Sequence, residues 1–225
     1  MRTISIISQK GGAGKTTLAV HLAAAAATEG VALVMDTDPQ ATASRWGQWR
    51  AGRDPEVVDC GAPSLLQLKL AKAAELGGEL AIVDTPPHAD AMARQAAKLA
   101  DLILIPCRPK AFDLAAMETT AELVRTARAP AFVVLMAGPP RAPVIYRETI
   151  ELLGDSRAGG LGLVIAPVIL PERAAFHHST AAGRTAGEVD PEGKAAKEVA
   201  ALWAWTRKQL DLATREHTSA GYLSA

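Results

Sequence analysis

The chain has 225 residues, of which 49% are hydrophobic and 21% charged, and this excludes a wholly disordered polypeptide. Its 24 Lys and Arg balance 24 Asp and Glu, so a whole-molecule basic field for nucleic acid is absent and any such binding has to come from a local patch. Two cysteines, Cys60 and Cys107, with no CxxC between them, exclude a disulfide-rich scaffold and a cysteine-only zinc cluster within one chain.

Met1 leads directly into an alternating β-branched run, with no basic region and no long apolar leader. No apolar stretch reaches the roughly 18–20 residues of a membrane span. The expectation is a soluble, cytoplasmic protein. Residues 3–8 read as a strand. Residues 15–28 read as an alanine-rich helix that Gly30 ends. Residues 31–36 read as a second buried strand, 41–50 as a helix and 56–59 as a short edge strand. Residues 64–75 carry apolar positions at helical spacing, with Ser64 as N-cap. Further strands are expected at 80–84, 102–106, 131–136 and 163–168. Helices are expected between them at 90–99, 113–128 and 144–153. The last long helix is expected over 191–215, with Val199, Leu202, Thr206 and Leu210 on one stripe. This alternation predicts an α/β fold, a doubly wound and mostly parallel sheet with helices on both faces. Residues 1–216 form a single domain and 217–225 a loose tail.

The decisive segment is QKGGAGKTT, residues 9–17, between the first strand and the first helix. Gly11, Gly12, Ala13 and Gly14 let backbone N–H groups turn inward around phosphate oxygens. The helix N-terminus behind them adds partial positive charge. At this spacing Lys15 neutralises β- and γ-phosphate, the Thr16 hydroxyl ligates Mg²⁺, and Thr17 donates near the α-phosphate. Two acidic segments close strands: Asp36-Thr37-Asp38-Pro39-Gln40 and Asp84-Thr85-Pro86-Pro87. A carboxylate near a γ-phosphate can orient water for in-line attack.

Lys10 gives the loop the form KGGxGKT, which resembles the deviant Walker A loop of the ParA/MinD family of P-loop ATPases. The likeness is strongest to the small ParA-type plasmid partition ATPases. It implies a P-loop ATPase that binds ATP and ADP with Mg²⁺. It implies that Lys10 reaches across a nucleotide-sandwich homodimer to phosphates held by the other subunit. It assigns Asp38 to the attacking water, and Asp36 and Asp84 to the magnesium shell with Thr16. The catalytic set is thus Lys10, Lys15 and Asp38. Residues 85–90, with His88 inside, correspond to a switch loop that feels the γ-phosphate. Ile105-Pro106-Cys107-Arg108-Pro109, followed by Asp113 and Leu114, resembles the family's strand and loop after the second acidic segment, where the loop lines the dimer interface. Residues 168–173 with Phe176 resemble the strand and loop near the adenine, where Pro171 is expected against the nucleotide. One departure stands out: Met136-Ala137-Gly138 occupies the place where many relatives carry an adenine-reading asparagine.

With the P-loop beginning at Gln9, no DNA-reading domain is expected before it. The likeness then implies a partition ATPase with weak, partner-stimulated hydrolysis, non-specific DNA binding, a nucleoid-associated location and a centromere-binding ParB-type partner. Lys194, Lys197 and Lys208, with Trp205 among them, read equally as a phosphate-tracking face or as a solvated face with a core aromatic. A MinD-like membrane-cycling ATPase is the alternative class, although EHTSAGYLSA at the end carries no Lys or Arg and no membrane association is expected. A redox ATPase bridging an iron–sulfur cluster, like the nitrogenase iron protein, and an amidating or ligating enzyme are the remaining classes.

Overall fold

Strand pleating sends alternate side chains to opposite faces, so a central strand covered on both sides reads as apolar throughout. A computed structural model describes residues 1–88, 90–154 and 160–222. It contains β1 (Arg2–Ile6), α1 (Lys15–Ala26), β2 (Ala32–Asp36), α2 (Thr42–Trp49), β3 (Glu56–Asp59), α3 (Pro63–Glu75), β4 (Leu80–Asp84), α4 (Asp90–Leu99) and β5 (Leu102–Cys107). Then come α5 (Ala111–Ala115), α6 (Met117–Arg125), β6 (Ala131–Leu135), α7 (Pro143–Gly154), β7 (Val164–Ile165), α8 (Ala174–Ala181), α9 (Ala186–Val189) and α10 (Lys194–Tyr222). The seven strands form one sheet in the order β3-β2-β4-β1-β5-β6-β7, and every pairing is parallel.

The two faces are separate cores. Ile4 and Ile6 of β1, Val34 of β2, Ile82 of β4 and Leu104 of β5 pack against α1 and α10. On the opposite face Ile103, Ile105 and Val133 meet α4, α6 and α7, while Leu33, Met35 and Val83 meet α3 and α4. Nine of the twelve residues of α1 are buried. Its alanines bring the helix close to the sheet, and α10 packs beside it on the same face. On α10, Val199, Leu202, Thr206 and Leu210 are all buried, as the stripe in the sequence predicts.

Several expectations are corrected. The helix expected over 113–128 is two helices, α5 and α6, meeting at Ala116. Ser64 lies inside α3; Ala62 is the N-cap, without a side-chain bond, and Pro63 opens the helix where its missing N–H costs nothing. The strand expected over 163–168 shrinks to Val164–Ile165 at the sheet edge. Helices α8 and α9 had no expected counterpart. The terminal helix runs to Tyr222, into the segment read as a tail, and residues 223–225 of that tail lie outside the described residues, as does Ala89 of the switch loop. Trp205 belongs to the core: its ring meets Phe132 edge-on at 4.9 Å. Lys197 pairs with Glu192 at 3.0 Å.

Parallel pairing carries every strand's C-terminal end to one edge of the sheet. The register sets Ile6 and Asp36 on either side of Asp84. In open α/β sheets ligands bind at this edge.

Candidate active site

The chain leaves β1 at Ile6 and reaches α1 at Lys15, and the intervening loop has to turn back on itself. Gly14 makes the last step with φ of 101°, in the left-handed region. A Cβ there would also stand 2.6 Å from the Met136 methyl carbon. The backbone conformation therefore calls for glycine, and a side chain here would also have to displace the Met136 methyl group. Gly12 has φ of 72°.

Lys15 is 6% exposed, and its ammonium donates to the carbonyls of Ser8 at 3.0 Å and Lys10 at 3.1 Å. Burial lowers its pKa, and the negative charges of Asp84 and Asp38 oppose that shift. These two carboxylates are therefore close enough to Lys15 to act on it. The Lys10 side chain has no hydrogen bond or ion pair among the described residues and is half-buried.

Asp84 ends β4 and is 1% exposed. Its Oδ2 accepts from the Thr16 hydroxyl at 2.7 Å, while Oδ1 is buried and has no partner. Burial raises its pKa to about 7; the Thr16 bond pulls down, Asp36 pushes up, and Lys15 pulls down. A buried carboxylate oxygen with free acceptor capacity beside a threonine hydroxyl fits a hydrated Mg²⁺. That ion keeps several waters and takes one or two carboxylates plus phosphate oxygens. Among the described residues no cluster of three or more His, Cys, Asp or Glu is arranged to hold a metal unaided.

Asp36 is fully buried and differs in kind from Asp84. Its Oδ2 accepts the backbone N–H of Ser44 at 2.7 Å, in the first turn of α2, and its Oδ1 that of Asp38 at 3.2 Å. Both oxygens thus hold the loop that carries Asp38. Asp38 is half-exposed at the site mouth, and its Oδ1 closes a local turn with the Gln40 N–H at 2.9 Å. The Thr37 hydroxyl donates to the Asp84 carbonyl and the Thr85 hydroxyl to the Ile6 carbonyl, both at 2.7 Å. These bonds stitch the ends of β2, β4 and β1 into one rigid floor.

The residues expected to act on phosphate therefore converge: Lys10, Gly11, Gly12, Ala13, Gly14, Lys15, Thr16 and Thr17 beside Asp36, Asp38 and Asp84. Pro171 is buried but lines a different groove, with Pro140, Tyr146, Arg147 and Ile169. Met136 touches the phosphate loop at Gly14. His88 is exposed with φ of 52°.

Sequence reasoning missed a second layer. His21, inside an alanine run of α1, is 2% exposed. Its Nδ1 donates to the Thr17 carbonyl at 2.8 Å and its Nε2 accepts from the Ala186 N–H at 3.2 Å. Arg50, 1% exposed, pairs with Glu188 at 2.8 Å and stacks 4.4 Å from the Trp46 ring centre. This layer ties α1 and α2 to α9. A histidine among alanines was its one visible signal.

The sequence pattern of the CobQ/CobB/MinD/ParA nucleotide binding domain matches residues 4–185. Maintenance of carboxysome distribution protein A from Gloeobacter kilaueensis is 33% identical over 214 residues, covering 93% of this chain and 94% of that protein. Protein ParA from Rhizobium radiobacter is 39% identical over 118 residues, 50% of this chain and 51% of that one. Among solved structures, an ATP complex of a Cyanothece McdA variant superposes with a TM-score of 0.71 at 17% identity, covering 92% of this chain and 96% of that one. The Mg-ADP complex of MinD from Pyrococcus horikoshii gives 0.68 at 17% identity, covering 94% and 98%. Both show a shared fold. The chain belongs to the CobQ/CobB/MinD/ParA nucleotide-binding family, as a P-loop ATPase of the ParA/MinD type.

Proposed function

We propose that this protein is a partition ATPase of the ParA kind, which uses Mg²⁺ and ATP to form a sandwich homodimer that binds DNA without sequence preference. The observation that carries this reading is the joint placement of Lys15, Thr16 and Asp84, with one Asp84 oxygen free. Backbone N–H groups of the loop and the Lys15 ammonium hold the phosphates. Thr16 and Asp84 would hold Mg²⁺, which when bound would supply charge neutralisation at the phosphates. Asp36 keeps the Asp38 loop in place, and Asp38 orients the attacking water. Lys10, whose side chain has no hydrogen bond or ion pair among the described residues, reaches the phosphates of the facing subunit. Positioning and charge neutralisation then do most of the catalysis. Hydrolysis is slow until a ParB-type partner stimulates it, and loss of the γ-phosphate removes the dimer and its hold on DNA.

The cargo has two readings. A replicon is the first. A protein assembly is the second, favoured by likeness along nearly the whole chain to a protein named for carboxysome distribution.

The test measures Mg²⁺-dependent ATP hydrolysis, mass in solution, and salt-dependent binding to random-sequence DNA, with ADP and with a slowly hydrolysed ATP analogue. Dimers and DNA binding with the analogue alone are expected, and Lys15→Ala should lose both. Equal DNA binding with either nucleotide would reject the DNA role. ATP-dependent sedimentation with liposomes would favour the MinD-like class; no helix among the described residues is long and apolar enough to cross a membrane.

A further inference from the structure

Gln9 precedes the Lys10 signature and has no role in phosphate binding, yet its side chain is buried at 7% exposure. Its amide Nε2 donates to Asp90 Oδ1 at 2.9 Å, and its backbone N–H donates to the hydroxyl of Thr120 at 3.3 Å. Thr120 is 1% exposed on α6, and Asp90 is the first residue of α4. One loop residue is thus fastened to two helices on the far face of the sheet. The carbonyls that Lys15 holds belong to Ser8 and Lys10, the neighbours of Gln9 on either side. An anionic phosphate is a stronger acceptor for an ammonium than a neutral carbonyl. Phosphate arriving at Lys15 therefore competes directly with the two bonds that flank Gln9.

The other end of this chain of contacts faces the chemistry. Asp90, Ala91 and Met92 line a cleft of about 490 Å³ with Asp38, Pro39 and Pro87. A change in where α4 begins changes the wall opposite the water-orienting carboxylate. We propose that Gln9 is a positioning residue, which passes the filling of the phosphate loop through Asp90 to α4 and to the cleft beside Asp38. This rests on the nucleotide-binding part of the proposed function and adds to it a route from Lys15 to the switch region.

The experiment is hydrogen exchange of the full chain over residues 90–99, with and without Mg²⁺ and a slowly hydrolysed ATP analogue, alongside fluorescent-nucleotide binding. In the parent protein the analogue should change exchange in α4. Gln9→Ala should bind nucleotide within about fivefold, the worth of one hydrogen bond, yet lose that change. Asp90→Ala should do the same, the double variant should be no worse than either, and Asp90→Asn, which keeps an acceptor oxygen, should restore the response. If Gln9→Ala fails to fold, the contrast between Asp90→Ala and Asp90→Asn carries the test. A full response in Gln9→Ala, a loss in Asp90→Asn equal to that in Asp90→Ala, or a parent protein that binds nucleotide without any change in α4 would overturn the relay alone. A parent protein that binds no nucleotide would overturn the proposed function and the relay together.

Discussion

Three carboxylates share the site, and their surroundings give them different work. Asp36 spends both oxygens on backbone N–H groups, Asp84 keeps one buried oxygen free, and Asp38 sits half-exposed on a short turn. Only Asp38 can be removed without leaving a buried donor or an orphaned hydroxyl. Asp38→Ala should therefore bind ATP normally, slow turnover by about a hundredfold or more, and accumulate as a dimer; single-turnover kinetics with light scattering reads all three. Turnover at the parent rate would reject its role. Lys10→Ala should keep nucleotide affinity, because the Lys10 side chain has no hydrogen bond or ion pair among the described residues, and should stay monomeric by sedimentation with ATP. ATP-dependent dimers of that variant would exclude action across the interface.

At the scale of elements, the site depends on α2 and α9 as well as on the loops. Arg50 caps the end of α2 deep in the protein, where it bonds Glu188 and the Gly183 carbonyl. Glu188 also completes a capping box with Thr185 at the start of α9 and has its pKa lowered: burial pushes up, while Arg50 and Thr185 outweigh it. Removing one partner strands a buried charge, which costs about 3 kcal/mol. Glu188→Ala should lower the unfolding free energy read from urea melts by that much without changing which nucleotide is bound, and an unchanged midpoint would show that Arg50 finds other acceptors. Element boundaries show where local reading stops. The strands at 56–59 and 80–84 and the helix at 90–99 were legible to the residue, because pattern and breakers agree there. Ser64 was misread as a cap because Ser and Pro both signal helix starts, and Pro63 took the first position. Helices α8 and α9 carry no clean apolar period: α9 is held to α1 and α2 by polar contacts through Ala186 and Glu188, and Phe176 of α8 meets the His21 ring edge-on.

Across the whole molecule, His21 links acid stability to the packing of α9 on α1. Burial holds its pKa down to about 4; its bond to the Thr17 carbonyl and the charge of Glu188 push up but do not compensate, and the Phe176 ring edge closes the remaining side. Above pH 6.5 the ring is neutral whether folded or unfolded and contributes nothing to pH dependence. Between about 6.5 and 4 the unfolded chain takes the proton and the folded chain does not, so stability falls as pH falls. The loss amounts to about 3 kcal/mol by pH 4. Denaturant melts at pH 7 and pH 4.5 should show it, and His21→Gln, which keeps an acceptor for the Ala186 N–H, should flatten the slope. An equal slope in that variant would assign the effect to carboxylates instead.

The phosphate loop, the two acidic strand ends and the parallel α/β order are local properties: each is a short run whose residue types and spacing have one good physical use. These the amino-acid sequence determined unaided. The division of labour among Asp36, Asp38 and Asp84 arose only on folding, because it depends on which N–H groups and hydroxyls reach each oxygen. The same holds for Met136 against Gly14 and for Gln9 against Asp90. Their partners are distant in the chain, and only the parallel register of the sheet, with the helices laid over its faces, brings them within bonding range.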